Sequence, residues 1–248
     1  MLARIRRHLR SIAGSRRRRA TLSGLTSRER ELLSHIQSSR LTYLSDVRLA
    51  SIASTCRSIE DAGLPGVFLE AGCALGGSAI LIASLKSFDR PLFIYDVFGL
   101  IPPPTEEDSH DVHDRYRTIV EGKARGIGGE GYYGYVDNLF DVVHSNLESF
   151  GINCVEQSVS LVKGLVQETM RIEQPVSFAH IDVDWYEPVM TCLKVVFPNL
   201  VVGGSIILDD YHDWSGCRKA TDEYLRGVGG QFVLNDSAGS LKVTKLKS

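Results

Sequence analysis

The sequence predicts an α/β fold, a mostly parallel sheet with helices on both faces and a group of helices ahead of it. Two observations carry the prediction. From Pro65 onward, short apolar runs alternate with helical stretches, the order in which βαβ crossovers build a parallel sheet. The closing stretch "QFVLNDSAGSLKVTK", residues 231–245, is interrupted by a turn at DSAG and reads as a hairpin adding antiparallel pairing at an edge. The 248 residues, 43% hydrophobic and 23% charged, suffice for one large domain with appendages.

In chain order, residues 1–26 form a basic arm. Residues 1–20 hold eight arginines and no acid, which leaves −10 on the rest of a chain whose net charge is −2. Leu2, Ile5 and Leu9 recur at helical spacing among the arginines, a pattern suited to an anionic membrane surface. So short a helix frays in water, and a solvated arm is the simpler expectation. The arm lacks the apolar centre of a secretory signal, though its composition is close to that of a mitochondrial-type transit peptide. Residues 27–64 read as helices, one opening at Ser27 and one opening at Ser45 and closing at Gly63. Residues 65–248 form the sheet domain. Its strands are "GVFLEAGC", "PLFIYDVFG", "SVSLVKG", "VSFAHIDVD" and "SIILDDY", followed by the terminal hairpin, with "SAILIASLKSF" and "EPVMTCLKVVFPNL" as helices between. Residues 99–140, rich in Pro, Gly, His and Tyr, break the alternation. An excursion this long in a compact domain is typically a lid or binding loop. Five scattered cysteines without a CxxC pair argue against a disulfide framework or a zinc site and suit a reducing cytoplasm.

Two constellations carry chemistry. In "FLEAGCALGGSA", Glu70 ends a strand, and Gly72, Gly76, Gly77 and Ser78 lead into a helix. Glycines admit a ligand close to the backbone, and the helix N-terminus offers free N–H groups. The spacing is not GxGxxG, so the dinucleotide fingerprint is absent. Asp96 ends the next strand, 24 residues after Gly72, where an acid accepts ribose hydroxyls. A carboxylate at Glu70 would repel a pyrophosphate and attract a cation, which favours S-adenosylmethionine over NAD. The plainer alternative is a tight strand–helix joint.

The second constellation is "HIDVDWYEP" and, 27 residues on, "GGSIILDDY". Each puts an acidic pair at the end of an apolar run, and a gap of one helix and a turn makes the two strands candidate neighbours. In parallel sheets ligands bind at these carboxyl ends. Asp182, Asp209 and Asp210 then converge as a hard, all-oxygen site suited to Mg²⁺. Such an ion lowers the pKa of a substrate hydroxyl, and Asp184 is placed to take the proton. The alternative is that these acids cap nearby helices.

These segments, with "YDVFGLIPPP", "VKGLVQETM" and "LDDYHDWSGCRKATDEY", resemble the macrocin O-methyltransferase family of class I methyltransferases, which methylate sugar hydroxyls of antibiotics. The resemblance runs from about Thr42 to Leu225 and leaves the arm outside. It implies a Rossmann-like sheet of seven strands, mostly parallel, with an antiparallel C-terminal strand. It implies S-adenosylmethionine as donor, Asp182, Asp209 and Asp210 as magnesium ligands, and Asp184 as base, with His212 as the other candidate. Lys163 and Gly164 become cofactor contacts. Residues 99–140 become a lid whose His110, His113, Tyr132, Tyr133 and Tyr135 face the sugar. The acceptor is then a glycoside, glycolipid or polysaccharide, and a homo-oligomer is expected, with the helices of residues 27–62 shaping the acceptor site. A catechol-type acceptor would use the same acids. A module whose arm docks nucleic acid or an anionic membrane is the alternative of another class. The −10 on the body and the absence of aromatics in the arm weigh against nucleic acid. The localisation expected is cytoplasmic, with the arm as a candidate peripheral membrane contact.

Overall fold

The computed structural model describes residues 22–247; the expectations for Leu2, Ile5, Leu9 and the arginines lie outside the described residues. Two helices come first, α1 (Ser27–Ser38) and α2 (Asp46–Asp61). The cap of α1 is Thr26 and not Ser27. Its hydroxyl accepts the Glu29 N–H while the Glu29 carboxylate accepts the Thr26 N–H, a reciprocal capping box. Ser45 caps α2 as expected. Glu29 then pairs with Arg57, tying α1 to α2.

The sheet comprises β1 (Val67–Ala71), β2 (Leu92–Asp96), β3 (Val159–Lys163), β4 (Val176–Ile181), β5 (Leu200–Leu208), β6 (Phe232–Asn235) and β7 (Leu241–Lys245). Their order is β3-β2-β1-β4-β5-β7-β6. All neighbours are parallel until β7, which runs antiparallel to both β5 and β6. Helix α3 (Gly77–Leu85) follows β1, α5 (Leu139–Ser149) precedes β3, and the single turn α6 (Val166–Thr169) follows it. Helix α7 (Tyr186–Asn199) crosses from β4 to β5, and α8 (Ser215–Val228) leads to the hairpin.

Side-chain alternation along the strands divides the core into two layers. Phe68, Ile94, Phe178 and Ile207 face α1, α2, α3 and α5. Leu69, Tyr95, Ala179, Ile206 and Leu208 face α7 and α8. Strand β1 and the body of β4 are buried throughout, as strands covered on both faces must be.

The 99–140 segment is more structured than a loop. It contains α4 (His110–Val120), whose Val112 and Ile119 are buried. It is also pinned at its margins. The Trp185 indole N–H donates to the Pro102 carbonyl at 3.0 Å, and the Tyr186 N–H donates to Asp108 Oδ1 at 2.8 Å. The Ser215 N–H donates to Asp111 at 3.0 Å, and Lys219 pairs with Glu107 at 2.6 Å. The approach at Asp108 leaves no room for a side chain on the facing helix, since a Cβ on Gly216 would lie 2.1 Å from Asp108 Oδ1. Among the described residues no helix is long and apolar enough to cross a membrane.

Candidate functional site

The carboxyl ends of β1, β2, β4 and β5 open into two adjoining clefts. Ile181 pairs with Leu208, so the segments that leave β4 and β5 start level, and their acids meet. Asp182, Asp184 and Asp210 bring oxygens within 4.8 Å of one another, and Asp209, Asp210 and Asp213 form a second such group. Gly72 sets the distance between β1 and this cluster. Its φ is +81°, and a Cβ there would lie 1.9 Å from the Asp182 carbonyl oxygen, so only glycine fits. Asp184 itself has a φ of +57°, a left-handed conformation that non-glycine residues adopt at a cost of about 1 kcal/mol.

Asp209, expected from sequence as a metal ligand, is also tied to an arginine. Arg48, from α2, donates to Asp209 Oδ2 at 2.7 Å, to Asp213 at 2.6 Å and to the Gly239 carbonyl at 3.0 Å. One oxygen of Asp209 is thus occupied and the other is free, while Asp184 lies in the first group with Asp182 and Asp210. The unused oxygens, Asp209 Oδ1 and Asp210 Oδ2, are buried without a hydrogen-bond partner among the described residues. A buried carboxylate oxygen requires a proton or a cation, and this all-oxygen donor set fits a hard divalent ion.

Electrostatics agree with the geometry. Burial, then repulsion from Asp210, holds Asp182 and Asp184 well above the usual carboxylate range. Burial and the Asp209 charge push Asp210 up to about 6. Asp209 is also raised by burial, although His180 and Arg48 oppose the shift. Beneath the cluster, His180 Nδ1 lies 2.9 Å from Glu70 Oε1, both fully buried. Burial disfavours the imidazolium, but the hydrogen bond and charge of Glu70 more than offset it, and the histidine's pKa is raised.

One cleft, of about 700 Å³, runs along Asp96, the Pro102–Pro104 wall, Gly164 and Gln167 to Trp185. Asp96 Oδ2 accepts the Cys73 N–H at 2.8 Å and Oδ1 the Phe98 N–H at 2.7 Å, which fixes the carboxylate at the mouth of this cleft. The other cleft, of about 1010 Å³, holds the acids together with Tyr43, Arg48, Arg115, Tyr132 and Trp214. Gly72, Tyr133, Asp182, Asp184 and Trp185 line both.

Of the residues expected from sequence, Gly72, Asp96, Gly164, Asp182, Asp184, Asp209, Asp210, Tyr132 and Tyr133 line the clefts. Several others lie elsewhere. Glu70 turns into the core because it shares a sheet face with His180. Gly76, Gly77 and Ser78 form the start of α3, but the Gly77 N–H donates to the Leu41 carbonyl at 3.0 Å and no side of this turn lines either cleft. Lys163 is exposed. His212 sits 3.6 Å from Asp236 on the hairpin side and lines neither cleft, which leaves Asp184 as the base candidate within the site. His110 is exposed, His113 bonds to the Thr105 carbonyl at 3.1 Å, and the Tyr135 hydroxyl donates to the Ile119 carbonyl at 2.5 Å. Sequence reasoning missed Arg48, Arg115, Tyr43 and Trp214; no local motif marks Arg48 or Tyr43, and Trp214 and Arg115 lie in the LDDYHDWSGCRKATDEY motif and the 99–140 segment without being singled out.

Comparison with known proteins places this site in context. A model of the macrocin-O-methyltransferase (TylF) family matches residues 5–229, so the matched region begins inside the basic arm and not at Thr42. The chain is 26% identical over 211 residues to the mycinamicin III 3''-O-methyltransferase of Micromonospora griseorubida, covering 80% of this chain and 76% of that one. It is 27% identical over 203 residues to a tetracenomycin-series rhamnosyl 4'-O-methyltransferase of Streptomyces olivaceus, covering 79% and 70%. In structure it is similar to the O-methyltransferase NovP, with a TM-score of 0.71 at 20% identity, covering 84% and 83%. The chain belongs to the macrocin-O-methyltransferase family and is an O-methyltransferase.

Proposed function

We propose that the protein transfers a methyl group from S-adenosylmethionine to a sugar hydroxyl, with a magnesium ion held by the acid cluster. The observation that carries this reading is the shared wall. A cleft ending in a fixed, ribose-competent acid, Asp96, meets an aromatic cleft floored by carboxylates, and Asp184 stands at the junction. A donor in one cleft and an acceptor in the other meet only there. The sugar acceptor is favoured because the tyrosine and tryptophan walls suit a pyranose face and because the name of the Streptomyces olivaceus relative specifies a rhamnosyl substrate.

Asp182, Asp210 and the free oxygen of Asp209 would hold the metal, with Asp184 beside them. The donor supplies an electrophilic methyl group on a sulfonium, and the ion stabilises negative charge developing on an acceptor oxygen. The chain's own residues do the rest. Asp96 and the Gly164 turn orient the donor. Tyr133 and Trp185 close the junction and exclude water. Asp184, at the junction of the two clefts, would take the hydroxyl proton as the C–O bond forms and the C–S bond breaks. Holding the partners in line accounts for much of the rate.

Calorimetric titration of S-adenosylmethionine and then Mg²⁺, on wild type and on Asp182→Asn with Asp210→Asn, tests this. Saturable donor binding in both proteins, with metal binding lost in the variant, is expected. Absence of donor binding, or metal binding untouched by the substitutions, would sink the reading.

A further inference from the structure

The acid-floored cleft contains two arginines in different circumstances. Arg48 is saturated by Asp209, Asp213 and the Gly239 carbonyl. Arg115, from α4, is half-buried in the same cleft, yet among the described residues no carboxylate or carbonyl pairs with it. The guanidinium lies over the Tyr132 ring at 5.7 Å, and its charge acts on Asp184 and Tyr43 across the cleft. Tyr132 is buried and packs against Tyr133 at 4.5 Å and Tyr135 at 5.3 Å, so the platform is fixed. The acid nearest in sequence, Asp114, is paired with Arg117 at 3.3 Å, away from the cleft.

A guanidinium beside a rigid ring and without a hydrogen-bond partner keeps its donors available for a bidentate carboxylate or phosphate. Partial burial without a hydrogen-bonded partner also makes such a ligand favourable, because part of the guanidinium's hydration is already lost and the nearby Asp184 charge acts on it only at a distance. The acids do not forbid an anion here. They come from the tips of β4 and β5, whereas Arg115 comes from α4, and Arg48 neutralises part of their charge.

We propose that Arg115 is a specificity residue that binds an anionic group on the acceptor, so that the preferred substrate is an acidic sugar, a uronate or a sugar phosphate. This rests on the assignment of the cleft to the acceptor. The test is titration of the full-length protein, without donor, with methyl glucuronide, glucose 1-phosphate and neutral methyl glucoside. Fluorescence of Trp185 and Trp214, which line the cleft, supplies the signal. Wild type should bind one acidic probe at least tenfold more tightly than the neutral one, and the stronger of the two identifies the anion. Arg115→Gln should remove at least tenfold of that binding and leave the neutral probe unchanged, and Arg115→Lys should recover part of it. Equal affinity for acidic and neutral probes, no binding of either acid at millimolar concentration, or equal losses for all probes in Arg115→Gln would overturn the proposal. Donor titration of the same proteins reads the methyl-transfer assignment separately, so failure of one is distinguishable from failure of the other.

Discussion

Replacing Arg48 by methionine tests whether the N-terminal helices are part of the site. The side chain of Arg48 is 18% exposed, that of Asp209 4% and that of Asp213 47%. The Asp213 contact is half in water and contributes no more than about 0.5 kcal/mol. The Asp209 contact is different, since its removal strands a buried carboxylate whose second oxygen already lacks a partner. Breaking such a pair typically costs about 3–5 kcal/mol, and protonation of Asp209 relieves part of it, so the expected loss is about 3 kcal/mol. For a chain of this size that corresponds to a Tm decrease of roughly 6–12 °C. Burial already raises the Asp209 pKa, and loss of the guanidinium raises it further. A raised carboxylate adds stability below its unfolded pKa and loses it as pH climbs through the folded value. The deficit should therefore be small at pH 5 and full at pH 8. Urea and thermal unfolding followed by circular dichroism would measure it. Arg48→Met combined with Asp209→Asn should recover about 2 kcal/mol relative to additivity. A single variant within about 0.5 kcal/mol of wild type, or strict additivity, would refute the reasoning.

Two further outcomes follow from the same cluster. Because Asp210 is raised from 3.8 to about 6, this group alone should cost the metal-free protein about 1 kcal/mol as pH rises from 5 to 7, with the other raised acids adding to the same slope. Mg²⁺ should reverse that loss, while Asp210→Asn should make both the slope and the reversal smaller in a differential scanning experiment. Gly72→Ala, with its Cβ 1.9 Å from the Asp182 carbonyl, should cost about 3 kcal/mol or more. Donor binding should fall with it; a soluble variant that binds donor normally would show that the β1–β4 spacing is not critical.

Much of the sheet was readable because its signals are local. Apolar runs between turn residues located each strand, and acids at the ends of two such runs were bound to emerge on one edge once those strands paired in parallel. The start of α1 was misread by one residue, since Thr26, Ser27 and Glu29 leave the cap ambiguous until the reciprocal bonds form. Helix α4 was hidden by its proline- and glycine-rich surroundings and by having only two buried apolar positions. Glu70 shows a different limit. Position along a strand is legible, but which face a side chain takes relative to a ligand depends on its partner across the sheet, here His180. Arg48 was out of reach altogether, because it acts on a carboxylate 161 residues away.

The place of β7 in the sheet has a consequence for how the protein is made. Among the described elements it is the last to leave the ribosome, yet it lies between β5 and β6 and covers the edge of the strand that delivers Asp209 and Asp210. The Gly239 carbonyl that receives Arg48 belongs to the turn just before it. Until residues 241–245 are available, β5 presents an open edge of unpaired N–H and C=O groups, which invites pairing with other chains. Completion of the acid cluster and protection of the nascent chain from aggregation are thus the same event, and both wait for residues 241–245.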